Sequence, residues 1–219
     1  MTGLRERKKQ RTHGALIRAA IELFVTQGYD TTTIDEISEA VDVSQRTFFR
    51  YFGSKEEVAL APQSAVDRAY LDAVIARPPE EFPAQALRNA LDATWPEMGE
   101  TVGEIVSLNL YMRMWQVIET TPALLAAQLR ASFTTEERLA AALARREGVD
   151  LDEDLRPRAL AAAFSGVLRA AGRHWGSGSD SSLAAAHGLT ARYVDQLFPA
   201  LQGSWSERGA ARLPGPHAG

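Results

Sequence analysis

Residues 33–57 read TIDEISEAVDVSQRTFFRYFGSKEE, and the order of residue types in this stretch decides the fold. Thr33 followed by Glu36 is a capping box, in which the hydroxyl accepts from the backbone three residues on while the carboxylate reaches back. It opens a short helix with Ile34, Ile37 and Val41 inward, and Asp42 ends it. Ser44 is then the N-cap of a helix from Gln45 to about Phe52, whose Phe48 and Phe52 lie four apart on the core side. Gly53 breaks that helix, and Ser54 with Glu57 repeats the capping box. Two short helices joined by a tight turn, the second with a polar start and an aromatic back, form a helix-turn-helix.

Upstream, Leu16, Ile17, Ala20, Ile21, Leu23 and Phe24 recur at three and four, predicting a helix from Leu4 to Gln27 that Gly28 stops. Downstream, the second capping box starts a connecting helix over 54–77, through Val58, Val66, Tyr70 and Val74, closed by Pro78 and Pro79. Further helices are expected over 82–94, 97–119, 122–147, 153–176 and 181–201, with breaks at Pro96, at Thr121-Pro122, at Gly148 and in the GSGSDSS stretch. No segment alternates like a strand. The expected fold is all-α: a three-helix DNA-binding domain over 1–53, then a helical bundle over 54–201. A flexible tail rich in Gly, Pro, Ser and Ala is expected over 202–219.

Charge is distributed unevenly. Arg5, Arg7, Lys8, Lys9, Arg11 and Arg18 face a single acid, Glu6, in the first 18 residues, whereas the whole chain carries −4. A basic end on an acidic body suits an anionic partner at that end, or else a solvated arm. There is no cysteine, which excludes disulfides, thiolate metal sites and cysteine nucleophiles and fits a reducing compartment. No apolar run approaches the ~20 residues that span a bilayer, so a cytoplasmic protein without a membrane partner is expected.

A recognition helix enters the major groove by its first turn, which must carry hydrogen-bonding side chains while its back packs on the domain. Gln45, Arg46 and Thr47 meet that need: Arg46 and Arg50 suit guanine edges and Gln45 suits adenine. Thr33 and Ser44, at helix starts, suit phosphate oxygens, with Tyr51 and Lys55 as further phosphate contacts.

Residues 5–60, from RERKKQRTHGALIRAAIELF through VDVSQRTFFRYFGSKEEVAL, resemble the DNA-binding domain of the TetR family. The likeness runs through the basic lead-in, the LF before TQGY, TTTIDEI, VDVSQRTFFRYF and SKEE. Two positions depart from the family pattern. Asp42 holds a turn position often given to glycine, and can adopt the left-handed conformation. Phe49 replaces a common tyrosine, which removes a phosphate hydrogen bond and offers a ring to a thymine methyl. The resemblance implies that the helical bundle over 54–201 is an effector-binding and dimerisation domain, so that the chain is a dimer that binds a small effector, with repression as the commoner mode. IETTPALLAAQLR and LRPRALAAAFSGVLRAAGRHW further resemble the branch with acyl-CoA-like or long-chain acyl effectors.

In the 97–119 helix, Ile105, Val106, Leu108, Leu110, Met112, Met114, Trp115, Val117 and Ile118 surround the axis, as in a helix lining a cavity. Asn109, Tyr111, Arg113 and Gln116 are the polar groups among them. With Trp95, Leu125, Leu129, Phe133, Phe164 and Leu168 facing it, this helix is expected to form a hydrophobic slot. Arg113 or Asn109 would anchor a carboxylate, thioester or phosphate there; the alternative is an ion pair for Arg113 and a plain core. Small residues at Ala159, Ala163, Gly166 and Ala170, with Leu160, Val167, Leu183, Val194, Leu197 and Phe198, predict a two-fold dimer through 153–176 and 181–201. That dimer would place two recognition helices ~34 to 36 Å apart on a near-palindromic duplex operator.

Catalysis is not expected. His13, His174, His187 and His217 make no HExxH spacing, there is no GxSxG, Walker or dinucleotide fingerprint, and no metal or cofactor is called for. A ligand-binding or architectural protein without sequence-specific reading is the other alternative, and the set Gln45, Arg46, Thr47 and Arg50 on one exposed helix start speaks against it.

Overall fold

The computed structural model describes residues 3–176, 178 and 182–202, and among them there are ten α-helices and no strand. The tail expected past 202 and most of the serine-glycine linker lie outside the described residues.

The head follows the sequence closely. α1 (Leu4–Gln27) stops at Gly28, whose φ of 95° a side chain would rarely adopt. α2 (Ile34–Glu39) has the full capping box: Thr33 Oγ1 accepts from Glu36 N at 3.2 Å, and Thr33 N donates to Glu36 Oε2 at 2.7 Å. Asp42 takes the left-handed turn with φ 55°. α3 (Gln45–Tyr51) begins at Ser44, whose Oγ accepts from Thr47 N at 3.2 Å. Leu16, Ile17, Ile21, Phe24, Ile37, Phe48 and Phe52 are all buried, so both aromatic residues at the back of α3 are core.

Three element boundaries differ from expectation. The connecting helix is two helices, α4 (Lys55–Ala59) and α5 (Ala61–Ile75), interrupted at Leu60 with φ −91° and ψ 0°. Pro62 has no N–H to continue the ladder and sits in the first turn of α5, where that N–H is not needed. Conversely, α6 (Pro83–Gly103) runs on through Pro96 instead of breaking there. Pro96 and Asp92, whose carbonyl the proline leaves free, are both exposed, so water can satisfy that oxygen while Leu91 and Val102 hold the buried side. The real break follows at Glu104–Ser107, and Ser107 caps α7 (Leu108–Thr120) by accepting from Leu110 N at 3.3 Å.

α8 (Pro122–Glu147) ends at Gly148, with φ 65°. α9 (Arg156–Gly176) and α10 (Leu183–Gln202) complete the bundle and pack on each other. Head and body share packing: Val58, Ala59 and Leu60 join Phe24 and Phe48 in a cluster that continues to Val106, Met112 and Ile118. No gap in the core therefore marks residue 53. A second cluster gathers Tyr70, Leu87, Leu91, Leu139, Leu143 and Phe164, and Trp95 packs against both.

Candidate DNA-reading face and effector cavity

On the head, α3 turns Phe48 into the core, and the pitch of the helix then leaves Gln45, Arg46, Phe49 and Arg50 exposed on the other side. Phe49 is 52% exposed, unusual for a phenylalanine on a domain that already has a core. Thr47 and Tyr51 are half-buried at the rim, and the Arg50 guanidinium lies 5.3 Å from the Tyr51 ring. Gln45 donates to the Asp35 carboxylate of α2, which ties the start of α3 to its neighbour. Ser44 and Thr47 hydroxyls lie 3.1 Å apart.

Lys55 has other partners than the phosphate expected for it. Its ammonium donates to the backbone oxygens of Tyr29 at 2.7 Å and Thr32 at 2.8 Å, and stands 4.1 Å from the centre of the Tyr29 ring. Beside it the Tyr29 hydroxyl donates to Glu56 Oε1 at 2.5 Å. Burial and that bond push the Tyr29 phenol upward, while the same bond holds the Glu56 carboxyl below its ordinary value. Lys55 and Glu56 thus bolt α4 onto the turn between α1 and α2. A lysine after a helix cap gives no sign of this, because its partners are carbonyls far along the chain.

Arg18, counted with the basic lead-in, is exposed but reaches across to the body: its guanidinium donates to Ile105 O at 3.0 Å, in the break between α6 and α7.

In the body a cavity of about 220 Å³ lies at the seam of the two clusters, with walls from α5 through α10. Of the residues expected to hold an effector, Trp95 and Trp115 line it, and so does Leu168. The others lie elsewhere. Asn109 and Arg113 are exposed, since with Gln116 they form the outer face of α7 at spacings of four and three. Met112 belongs to the shared core, Phe164 is buried and stacked on Tyr70 with ring centres 6.2 Å apart, and Phe133 is 60% exposed. Leu129 is exposed, and Leu125 is not part of the cavity wall. α7 is therefore amphipathic rather than apolar all round, and its buried face is Tyr111, Met112, Met114 and Ile118.

Two polar groups on the wall, Gln63 and Asp67, come from α5. Gln63 Nε2 donates to Asp67 Oδ1 at 2.8 Å, and the Tyr111 hydroxyl donates to Gln63 Oε1 at 2.6 Å. Burial raises the Asp67 carboxyl above its ordinary value, against the lowering effect of bonds from Gln63 and Thr135. Gln63 and Asp67, four apart, were legible as a polar pair on one helical side, but nothing local shows that this side faces a cavity. Among the described residues no cluster of metal-ligating side chains occurs, and no helix is long and apolar enough to cross a membrane.

Residues 16–61 match the family "Bacterial regulatory proteins, tetR family", and residues 81–202 match the "MftR C-terminal domain" family. The chain is 47% identical to the HTH-type transcriptional regulator TcmR of Streptomyces glaucescens over 208 residues, 95% of this chain and 92% of that one. A transcriptional regulator of Aquifex aeolicus shares the fold with a TM-score of 0.50 at 17% identity, over 86% of this chain and 99% of that one. So does FadR of Thermus thermophilus, a repressor solved in complex with lauroyl-CoA, with a TM-score of 0.50 at 20% identity over 94% of this chain and 100% of that one.

Proposed function

The chain belongs to the TetR family of transcriptional regulators, whose members are ligand-responsive DNA-binding repressors, and from that premise we propose how its own residues divide the work. Arg46 and Arg50 read guanine edges, Gln45 and Thr47 read neighbouring bases, and Phe49 packs on a thymine methyl. Thr33, Ser44 and Tyr51 sit at phosphates and set the register. Lys55 holds the turn that carries them. Two copies pair through α9 and α10, where Ala159 and Ala162 are exposed in the single chain, and bind a near-palindrome with half-sites ~34 to 36 Å apart.

The effector site is the cavity at the seam, and one observation supports this above others. Leu60, at the interruption between α4 and α5, is part of the cavity wall, while α4 is bolted to the head by Lys55 and Glu56. A ligand that prefers one position of Leu60 then biases the position of the head, and only its differential affinity for the two states moves the equilibrium. A small, largely hydrophobic effector suits the walls. The narrower acyl-CoA-like reading puts an acyl chain in the cavity and the charged nucleotide outside it, since Asp67 and Glu97 on the wall repel phosphate. The protein acts without catalysis, in the cytoplasm with the chromosome.

Selection of random duplex DNA against the purified chain at moderate salt tests the regulator reading. A near-palindrome one helical turn between half-sites is the expected product, with a dimer at micromolar concentration in sedimentation. No enrichment of any palindrome rejects it.

A further inference from the structure

A carboxyl group enclosed by protein needs a counter-charge, and one on the cavity wall has none. Gln63, Asp67, Tyr70 and Leu71 share one side of α5 and all line the cavity, so Asp67 stands in the middle of that face. It is half-buried, and the surface it keeps opens into the cavity. Its carboxyl accepts from Gln63 Nε2 at 2.8 Å and from Thr135 of α8, both neutral donors. No cation acts on it among the described residues. A carboxylate has about four acceptor positions, so these two bonds leave room for a further donor and leave the charge unanswered.

The other charges of the wall point the same way. Its basic side chain, Arg169, is 3.4 Å from Glu136, and Glu97 and Gln128 add acceptors. An anion entering here meets two acids and a cation already paired. A neutral compound can bond to Asp67 but brings no charge. An ammonium supplies both, since each of its N–H groups donates and the bond to a carboxylate is charge-assisted.

Most of the remaining wall is apolar or aromatic. Trp95, Trp115 and Tyr70 give it ring surface, against which a flat ring packs and which also favours a cation.

Taking the cavity as the effector site, we propose that it binds an amine in its ammonium form, carried on an aromatic ring system, with the ammonium donating to the Asp67 carboxylate and the rings packed among the tryptophans. 1-Naphthylmethylamine, 1-naphthylmethanol and 1-naphthylacetate share one ring system and carry, at neutral pH, a positive charge, none and a negative one. Calorimetric titration of the full chain with each isolates the charge. The amine should bind about tenfold tighter than the alcohol, the scale of a hydrogen bond to a charged group, and the acetate should bind most weakly. In Asp67→Asn, which keeps the shape and removes the charge, the preference should fall toward one with alcohol affinity little changed. In Glu97→Gln most of it should remain, because Glu97 is exposed and screened by water and salt.

Equal affinities for amine and alcohol in the unmodified chain overturn the proposal, as does failure of the amine to bind. A preference that survives in Asp67→Asn overturns it as well, and so does one lost in Glu97→Gln alone. Decanoate completes the set. Tighter binding of naphthylacetate or decanoate than of the amine overturns the cation inference, and release of a labelled operator duplex by that compound would leave the effector reading standing. The amine bound with the expected preference but without operator release supports the ligand chemistry and sinks the effector reading instead.

Discussion

At Lys55 one ammonium holds the carbonyl oxygens of Tyr29 and Thr32, so its removal leaves two acceptors unpaired in a partly buried turn. Lys55→Met should lower stability by about 1 to 3 kcal/mol, seen as a drop in melting temperature, while the salt slope of operator binding stays as it was. A slope lowered by one with stability intact would restore a phosphate role. Arg46 behaves in the opposite way, because it is exposed. Arg46→Ala should leave melting unchanged and cost about 1 to 3 kcal/mol of discrimination at one base pair, measured on a panel of single-base operator variants; a uniform loss across the panel contradicts base reading. Asp67 titrates with a folded-state value raised by burial, so the folded chain holds its proton more tightly than the unfolded one. Its contribution to stability is therefore full below the ordinary carboxyl range and is lost as pH rises through the raised value. Asp67→Asn should melt higher than the parent at neutral pH, and the gap should close in acid; a gap that widens in acid reverses the assignment.

Among the elements, α7 carries the main correction to the reading of the effector site. Its apolar residues are dense enough to suggest burial on every side, yet Asn109, Arg113 and Gln116 follow the helical repeat and mark a solvent face. Arg113→Ala should accordingly change stability by no more than about 0.5 kcal/mol and leave effector affinity untouched in the same calorimetric assay. The start of α5 and the continuation of α6 past Pro96 have one cause in common. A proline removes a single N–H, and whether a helix stops there depends on whether the freed carbonyl can find water. At Pro96 it can, so α6 continues; at Pro62 the proline instead begins α5, and the interruption at Leu60 reaches the cavity.

Besides the shared core, two sets of hydrogen bonds among the described residues tie the body to the head: the Lys55 and Glu56 bolt behind Leu60, and the bond from Arg18 of α1 to Ile105 between α6 and α7. The second joins the head to the end of the helix that carries Trp95, so a ligand that shifts α6 has a direct hold on α1. Arg18→Ala should bind operator nearly as well as the parent but need more effector for release, by about tenfold or ~1.4 kcal/mol of coupling, read from effector titrations of a labelled duplex. Weakened operator binding with unchanged effector response would assign Arg18 to DNA instead.

The residues of 33–57 determine the helix-turn-helix by themselves, because caps, the Asp42 turn and the phenylalanine spacing are local signals a few residues long. The amphipathic repeats likewise determine that the remainder is helical. The identity of the cavity does not follow from them, since a wall built from α5 through α10 depends on which faces meet across the bundle. For the same reason Trp95 and Trp115 were readable as cavity residues only by their bulk, whereas Gln63 and Asp67 became so once packing had turned α5 toward them. Lys55 and Arg18, cations by sequence, received carbonyl partners because folding brought Tyr29, Thr32 and Ile105 within reach. Long-range hydrogen bonds of that kind leave no periodic trace in a chain.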